Sequence, residues 1–588
     1  MGYPSPQSDG LALTLPKNYD NPDGHDWRMA MFSLVLPVPP TGLPGSAGGQ
    51  HLIKLGPQWH DGRFPGVTAI QVPGPTGTTT GGITPKAITT PAAKRFAAPL
   101  KDSVGAGDAA PRMFVHQEFG HRFALTPDDD PDATVSLAAA EFLQYRGIRT
   151  HDGSGTDLEL GFDYLVLHIL VETCSSATLD TVSRALHRPN QKPARIRLRA
   201  ARGSELSPDG EDRLLPLMCR TVLDELNSGL PADDTAGSAG AGFYFTVAHG
   251  GFLFGRSTGK GPAHHAGDLV AGPAGFARVL AGRTIRSVCA VPGAEQIDVP
   301  PQFADFLTEE QLAESDVYWS PADMWAWSLS AGGDKYAEGI PDLRYDSCGD
   351  SLFGSYHFWA TASSPSGVAV VRTLPADNCD TKPWRLSSTL YLDLLLLVHR
   401  SREYLGQLGR RLREFHLDVP HDVDGITDTR SARENLQYLE NKSALFGDIQ
   451  ADLVFFRDHL WFETVPDHET DTRLLRAYRD ATGITERYDD ITSEIALRKD
   501  VYTTLHQTVR LRLDRILNDL KDEEHAAQVE RDRRQNLMLG FLALAFALPG
   551  ILQMSPMTGQ WSGFAITVLV VIVFIIGFLL LLRRNRDR

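Results

Sequence analysis

The chain lacks the cysteine patterns of secreted or metal-bound modules. Its 588 residues include five cysteines, an odd number with no CxxC spacing: Cys174, Cys219, Cys289, Cys348 and Cys379. A disulfide framework or a zinc knuckle is therefore not expected, and a reduced cytosolic domain is favoured. No apolar run follows Met1, so no cleaved signal peptide is expected either.

The chain also lacks an excess of basic residues. Lys and Arg number 57 against 73 Asp and Glu, which gives a net charge of −16 and a pI of about 5.6. Binding to the phosphates of DNA or RNA needs clustered Lys and Arg. We therefore expect no nucleic-acid partner.

Glycine and proline are absent between Gly483 and Gly540. Apolar residues in this stretch recur at close to the helical period: Ile491, Ile495, Tyr502, Leu505, Val509, Leu513, Ile516 and Leu520. The pattern predicts one helix from about Glu486 to Leu548, near 90 Å long. An amphipathic helix, a linker and a separate apolar helix are the alternative.

Ionisable residues are absent from Gln535 to Leu582. One helix of this length would be about twice as long as a bilayer core is thick. Pro549-Gly550 and Pro556 therefore predict a break between two membrane spans, Leu537–Leu552 and Ser562–Leu582, joined by a short turn. A buried hairpin in a soluble core is the alternative.

Basic residues flank this apolar segment. Arg531–Arg534 precede it and Arg583–Arg588 follow it, whereas the turn is neutral. By the positive-inside rule, both termini are expected in the cytoplasm of a plasma-membrane protein with two spans.

Helical periodicity continues upstream, in Ser387–Phe415, Ser431–Phe462 and Asp471–Ala481. The apolar start of the first segment is too short to span a bilayer and contains Asp393. A core helix is therefore predicted there, not a third span.

The N-terminal two-thirds divide by composition. Residues 1–112 are rich in Gly, Pro and Thr and are expected to be partly disordered, except for a strand at Trp27–Val38. Residues 113–383 alternate between strand and helix patterns, which predicts an α/β cytoplasmic domain. Residues 384–536 are then a helical stalk region, 537–582 the membrane hairpin and 583–588 a basic tail.

Within the α/β domain, strands are predicted at Tyr164–Cys174 and Ala194–Ala200 and hairpins at Gly242–Gly255 and Ser355–Thr373. Helices are predicted at Thr178–Arg188 and Glu211–Asn227. These segments carry the mixed α/β class.

Several motifs resemble catalytic signatures without matching them. Gly255–Gly261 (GRSTGKG) lacks the spacing and the Ser/Thr of a phosphate loop, and His116–His121 (HQEFGH) lacks the HExxH order of zinc hydrolases. The acidic run Pro127–Asp132 and the pair His264-His265 are interpreted as solvated loops. The tryptophans of Tyr318–Trp327 are interpreted as a core edge. No catalytic residues are nominated, and the chain is not expected to be an enzyme.

The organisation from Ser387 to Arg588 resembles the CorA-type metal-ion transporter superfamily. The residues that carry the resemblance are Phe455–Ile495, the FALPGI of the first span and the terminal LLRRNRDR. The resemblance implies an α/β cytoplasmic domain, a helical stalk, two transmembrane helices, a homo-pentamer and Mg²⁺ or another divalent cation as substrate or regulator. The lipid bilayer is the other expected partner.

The family's Gly-Met-Asn triplet is missing, and the corresponding sequence is LQMSPMTGQW. Gln553, Ser555 and Thr558 are the candidate oxygen donors at a pore mouth, since Mg²⁺ keeps its waters and accepts outer-sphere contacts. Leu539 and Leu542 are candidates for apolar rings along the pore. The alternative hypothesis is a non-conducting membrane-anchored interaction or signalling protein whose N-terminal domain senses a ligand.

Overall fold

The computed structural model divides the chain into two compact units, Met1–Leu417 with Asn441–Asp500 and Asp418–Glu440 with Val501–Arg588. It describes the following residues: 24–38, 59–61, 112–116, 122–125, 130, 133–144, 148–151, 157–160, 163–187, 198–200, 214–228, 242–248, 251–257, 277–281, 284–294, 296–304, 317–333, 341–345, 352, 358–373, 382–415, 429–465, 469–553, 568–569, 572–573, 576–577 and 583.

A ten-stranded sheet lies at the centre of the first unit. Its strands are β1 (Trp27–Val38), β2 (His60–Asp61), β3 (Arg112–His116), β4 (Arg122–Leu125), β5 (Thr134–Gln144), β8 (Asp163–Cys174), β9 (Leu198–Ala200), β13 (Ile285–Pro292), β14 (Trp359–Ser364) and β15 (Gly367–Arg372).

The order of the strands is β14-β15-β13-β1-β8-β5-β3-β2, and β4 and β9 continue from β5 on a side branch. Among the described pairs, β13 and β15 are parallel and the others in this sheet are antiparallel. The N-terminal strand β1 therefore lies in the middle of the sheet, between β13 and β8.

Both faces of the sheet are covered, which explains why the central strands are almost continuously apolar. Along β1, Phe32 and Leu34 belong to the core on one face, whereas Met31 and Val35 belong to the cores on the opposite face. The period of two along a strand produces this division.

Three helices cover the first face: α1 (Ser176–His187), α2 (Leu214–Ser228) and α3 (Pro321–Ala331). A capping box of Ser320 and Asp323 fixes the start of α3, and Gly332, at φ 75°, ends it. Trp319, Trp325 and Trp327 are buried there, so the prediction of a core edge is confirmed.

Five helices contribute to the core on the second face: α4 (Lys382–Ser387), α5 (Leu390–Glu414), α6 (Thr429–His459), α7 (Glu469–Ala481) and α8 (Ile484–Gln553). Leu394, Leu395 and Val398 of α5 are buried in the same cluster as Val368 and Val370 of β15. α5 is therefore a core helix of the first unit, as its length and Asp393 predict.

The helix α8 has 70 residues and a length of about 105 Å. It begins after Gly483, at φ 63°, two residues before the predicted start. It continues through Pro549 and Gly550 to Gln553, so these two residues do not end it as the sequence predicts. A proline removes a single backbone hydrogen bond, and a helix continues past it when the next turn still closes.

Two smaller sheets complete the described strands. One pairs β6 (Ile148–His151) with β7 (Asp157–Leu160), and the other contains β10 (Gly242–Ala248), β11 (Gly251–Ser257) and β12 (Ala277–Ala281). The two predicted hairpins correspond to β10–β11 and β14–β15. Of the strand predicted at Ala194–Ala200, the part at Leu198–Ala200 forms β9, and residues 194–197 lie outside the described residues.

Candidate functional site

The candidate functional region is the C-terminal part of α8, where the predicted pore residues lie. The first turns of this helix are packed: Ile484, Ile491 and Ile495 are buried in the core on the second face. In the second unit Val509 is buried, and the Tyr502 hydroxyl donates to the Leu439 carbonyl oxygen of α6 at 3.1 Å.

Burial then ends. Every described side chain from Asn518 to Gly540 is exposed, although this part of the helix contains Leu520, Val529 and Leu537–Leu539. Glu530 and Arg534 form an i,i+4 ion pair at 2.8 Å in this stretch. Such pairs contribute only about 0.3–0.5 kcal/mol each, so they do not replace packing.

The predicted pore residues are only partly within the described chain. Leu539 is 62% exposed and Leu542 is 46% exposed, both on α8. Gln553 is the last residue of that helix. Ser555 and Thr558, the other two candidate oxygen donors, lie outside the described residues, as do Pro556 and most of the predicted second span.

Within the described part of the chain, no helix is both long enough and apolar enough to cross a membrane.

A buried polar row that the sequence did not point to crosses three strands of the central sheet. The Ser33 hydroxyl lies 2.9 Å from His168 Nδ1, and His168 Nε2 lies 3.7 Å from Glu141 Oε2. All three side chains are 0% exposed. The order hydroxyl–imidazole–carboxylate resembles a catalytic triad, but solvent and substrate have no access to it.

These three polar residues contribute to the pairing of the strands in the sheet. Ser33 of β1 stands directly opposite His168 of β8, and a bulge in β5 precedes Glu141. Tyr164, Leu392 and Leu396 form a small buried cluster on the same face. Buried polar groups are stable only when they are paired, so this row favours one register of β1, β8 and β5.

The acidic run is not fully solvated. Asp130 is buried, and its Oδ2 accepts a hydrogen bond from the Ser175 amide at 2.7 Å. Asp26 Oδ2 accepts from the Ser176 amide, also at 2.7 Å. The positive N-terminal end of α1 therefore holds two carboxylates of the chain itself, and the solvated-turn interpretation is wrong for Asp130.

The two carboxylates at this helix end also act on a neighbouring thiol. Burial, followed by the charges of Asp130 and Asp26, holds the pKa of the Cys174 thiol well above its usual range. Cys174 is therefore a neutral core residue at neutral pH, not a reactive thiolate.

The histidine motif also has a structural explanation. His116 is buried, and its ring meets the Trp59 ring edge to face at 5.4 Å. His121 and the pair His264-His265 lie outside the described residues. Among the residues described, no group of three or more His, Cys, Asp or Glu side chains is arranged to hold a metal ion.

Comparison of the chain with protein-family models, with curated proteins and with solved structures gives no match.

Proposed function

We propose that this chain is a membrane-anchored, oligomeric protein of the CorA type, with a divalent cation such as Mg²⁺ as its substrate. The observation that carries the proposal is α8. One unbroken helix begins in the core of an α/β unit and ends inside a segment without ionisable residues.

The exposure of the C-terminal half of α8 supports the proposal that this helix packs against an additional partner. A single helix in water is marginally stable, because most helical stability in proteins comes from packing of an apolar face. From Asn518 onwards α8 has exposed leucines and the exposed Val529, and no residue described before Phe541 is buried. Lipid and other copies of the chain, five in the CorA arrangement, would supply the missing contacts.

The apolar segment supports the membrane part of the proposal by its composition. It extends from Gln535 to Leu582 and contains no Asp, Glu, Lys, Arg or His. An uninterrupted run of that length is rare in water-soluble cores. In the proposed protein the residues from Leu537 to Leu552 form the first span, Ser562–Leu582 form the second, and both termini are cytoplasmic.

Ion conduction would use the first span. Copies of Leu539 and Leu542 would form apolar rings that gate by wetting, and the oxygens of Gln553, Ser555 and Thr558 would accept hydrogen bonds from a hydrated cation. Outer-sphere recognition needs oxygen acceptors rather than charge, which is compatible with a neutral turn.

A second candidate function is a non-conducting membrane anchor for a sensing or interaction domain. The specific observation that favours it is the missing Gly-Met-Asn triplet, the residues that would hold the hydrated ion in the CorA family. The same α8 and apolar segment would then serve only for attachment and assembly.

Reconstitution of the full-length chain into liposomes tests both functions. We expect Mg²⁺ or Co²⁺ uptake by the wild type and its loss in Gln553→Leu and Ser555→Ala. The control is Gln528→Leu, which makes the same change at an exposed position of α8 before the apolar segment. No flux of any cation through an intact oligomer of native mass would favour the anchor. Release of the chain from membranes by alkaline carbonate would contradict both.

A further inference from the structure

One face of α5 is rich in arginine but has no side chains at its centre. Arg402, Arg410 and Arg413 lie on this face, around Gly406 and Gly409. These positions fall within about a third of the helix circumference at 100° per residue. The two glycines leave a strip of backbone without side chains between the arginines, and α8 covers this strip.

The helix α8 brings a fourth arginine onto this strip. Arg487 Nη2 lies 3.5 Å from the point where a Cβ of residue 406 would be, and Ile491 Cδ1 lies 3.6 Å from the same point at Gly409. Gly406 and Gly409 therefore allow α8 to approach α5 closely. The Arg487 guanidinium is held against α5 and is only partly exposed. All of these residues belong to the first compact unit.

The charges of this arginine cluster, Arg402, Arg410, Arg413 and Arg487, are not balanced by the carboxylate beside them. Burial lowers the pKa of Arg487, and the charges of Arg402, Arg413 and Arg410 lower it further, while Glu403 alone acts in the opposite direction. Three arginines and one carboxylate act on Arg487, so positive charge predominates around this side chain, in a chain whose net charge is −16.

Glu403 lies among these arginines. Its pKa is raised because burial outweighs the lowering effects of Arg402, Arg410 and Arg487. In its ionised form this carboxylate competes with a bound anion for the same guanidinium groups.

We propose that Arg402, Arg410, Arg413 and Arg487 form a binding site for a phosphate-bearing polyanion on the α5–α8 surface of the first unit. The guanidinium is planar and donates pairs of parallel hydrogen bonds that match phosphate oxygens. A polyvalent anion would lie against the exposed Arg402, Arg410 and Arg413, beside the Arg487 guanidinium that covers Gly406, and would relieve the repulsion among the four cations. It would also link α5 to α8, because its contacts come from both helices.

Two sources supply such an anion: soluble polyphosphates such as a nucleoside triphosphate, and the headgroups of polyphosphorylated lipids. Their shared chemistry is a cluster of phosphate oxygens with more than two negative charges. The proposal is independent of ion conduction and holds equally for a conducting and a non-conducting protein.

Calorimetric titration of the full chain, purified in an uncharged detergent at low salt, tests the site with tripolyphosphate. We expect saturable binding of one anion per chain. Arg487→Gln and Arg410→Gln should each weaken it about 10-fold, the size of one charge-assisted hydrogen-bond contact. Glu403→Gln should strengthen it several-fold, because it removes a carboxylate that competes for these arginines. Arg457→Gln, at an exposed position of α6, is the matched control and should leave it unchanged.

Competition identifies the source. Displacement of tripolyphosphate by micromolar dioctanoyl phosphatidylinositol 4,5-bisphosphate indicates a lipid headgroup, and preference for tripolyphosphate or ATP indicates a soluble ligand. The gain of affinity in Glu403→Gln separates binding from a folding defect, which would only reduce it. Absence of saturable binding of either probe, or equal affinities in wild type, Arg487→Gln and Glu403→Gln, would overturn the proposal.

Discussion

The two parts of α8 differ in what stabilises them. From Ile484 to Ile495 the helix is packed into the core beside α5, α6 and α7, with Ile491 lying over Gly409. From Asn518 to Gly540 every side chain of the same helix is exposed, including those of Leu520 and Val529. One continuous helix thus combines a part stabilised by its own chain with a part that has only helix propensity and surface ion pairs.

A continuous helix is therefore not equally stable along its whole length. Packed segments open with a free energy close to that of the whole unit, whereas exposed segments open locally. Amide hydrogen-exchange rates along α8 measure this difference in local stability directly. In the CorA-type proposal, lipid and neighbouring copies would remove the difference.

The largest loss of stability is expected when a buried side chain in the packed part of α8 is truncated. Ile491→Ala should destabilise the first unit by about 3 kcal/mol, because it removes buried methyl groups and leaves a cavity between α5 and α8. The matched change in the exposed part, Leu520→Ala, should cost less than about 0.5 kcal/mol, since this side chain is exposed. Urea unfolding of the solubilised full chain, followed by hydrogen exchange of α5, measures both. Equal effects would contradict the difference between the two parts.

The next effect concerns the link between α8 and the end of α5. Arg498 Nη1 donates to the carbonyl oxygens of Phe415, at 2.7 Å, and of Leu412. Arg498→Met leaves these terminal carbonyls without their charged donor and should cost about 2 kcal/mol. Arg510→Met, at an exposed position, should change stability by less than about 0.5 kcal/mol. Faster amide exchange at the end of α5 should accompany the first variant alone.

The first unit should also be sensitive to pH, through His399 of α5. Burial, and then the charge of Arg402, lower the pKa of His399 from 6.5 to about 4, and its ring meets the Tyr164 ring at 5.7 Å. The folded chain therefore holds fewer protons than the unfolded chain between these two values. The free energy of unfolding is therefore highest above pH 6.5 and falls by roughly 3 kcal/mol as the pH falls to 4.

The variant His399→Gln removes this titration, so its free energy of unfolding should fall less steeply between pH 6.5 and 4. His525→Gln, at an exposed position of α8, is the control and should keep the slope of the wild type. Unfolding curves at four pH values measure both. An unchanged slope in His399→Gln would show that other groups carry the acid sensitivity.

The smallest effect is expected in the exposed part. Glu530→Ala removes an i,i+4 ion pair with Arg534 whose two side chains are each 64% exposed. The loss should be about 0.3–0.5 kcal/mol and should disappear in 1 M salt. Amide hydrogen-exchange rates around Val529 measure this loss of local stability. A loss above 1 kcal/mol would mean that Glu530 contacts a partner in the assembled protein.

The sequence predicts those elements whose signal is local. β1 at Trp27–Val38 has the predicted bounds, and α5, α7 and the start of α8 follow the helical periods of their apolar residues. Gly483 and the absence of glycine and proline after it define the start and the continuity of α8. These features depend on neighbouring residues alone.

What the sequence does not predict depends on residues that are distant along the chain. Ser33 lies more than 100 residues before both His168 and Glu141 along the chain, and no spacing rule brings the three residues together. Asp130 looks like part of a solvated acidic turn until α1 is placed beside it. The arginine cluster likewise requires knowing that Arg487 lies over Gly406.

The central place of β1 has a consequence for biosynthesis. Its neighbours are β8 and β13, which both follow it along the chain, so β1 cannot be paired on both edges until Pro292 has been synthesised. At 5–20 residues per second this takes roughly 10–50 s. During that time an apolar strand with open edges is a target for chaperones and for mispairing between nascent chains.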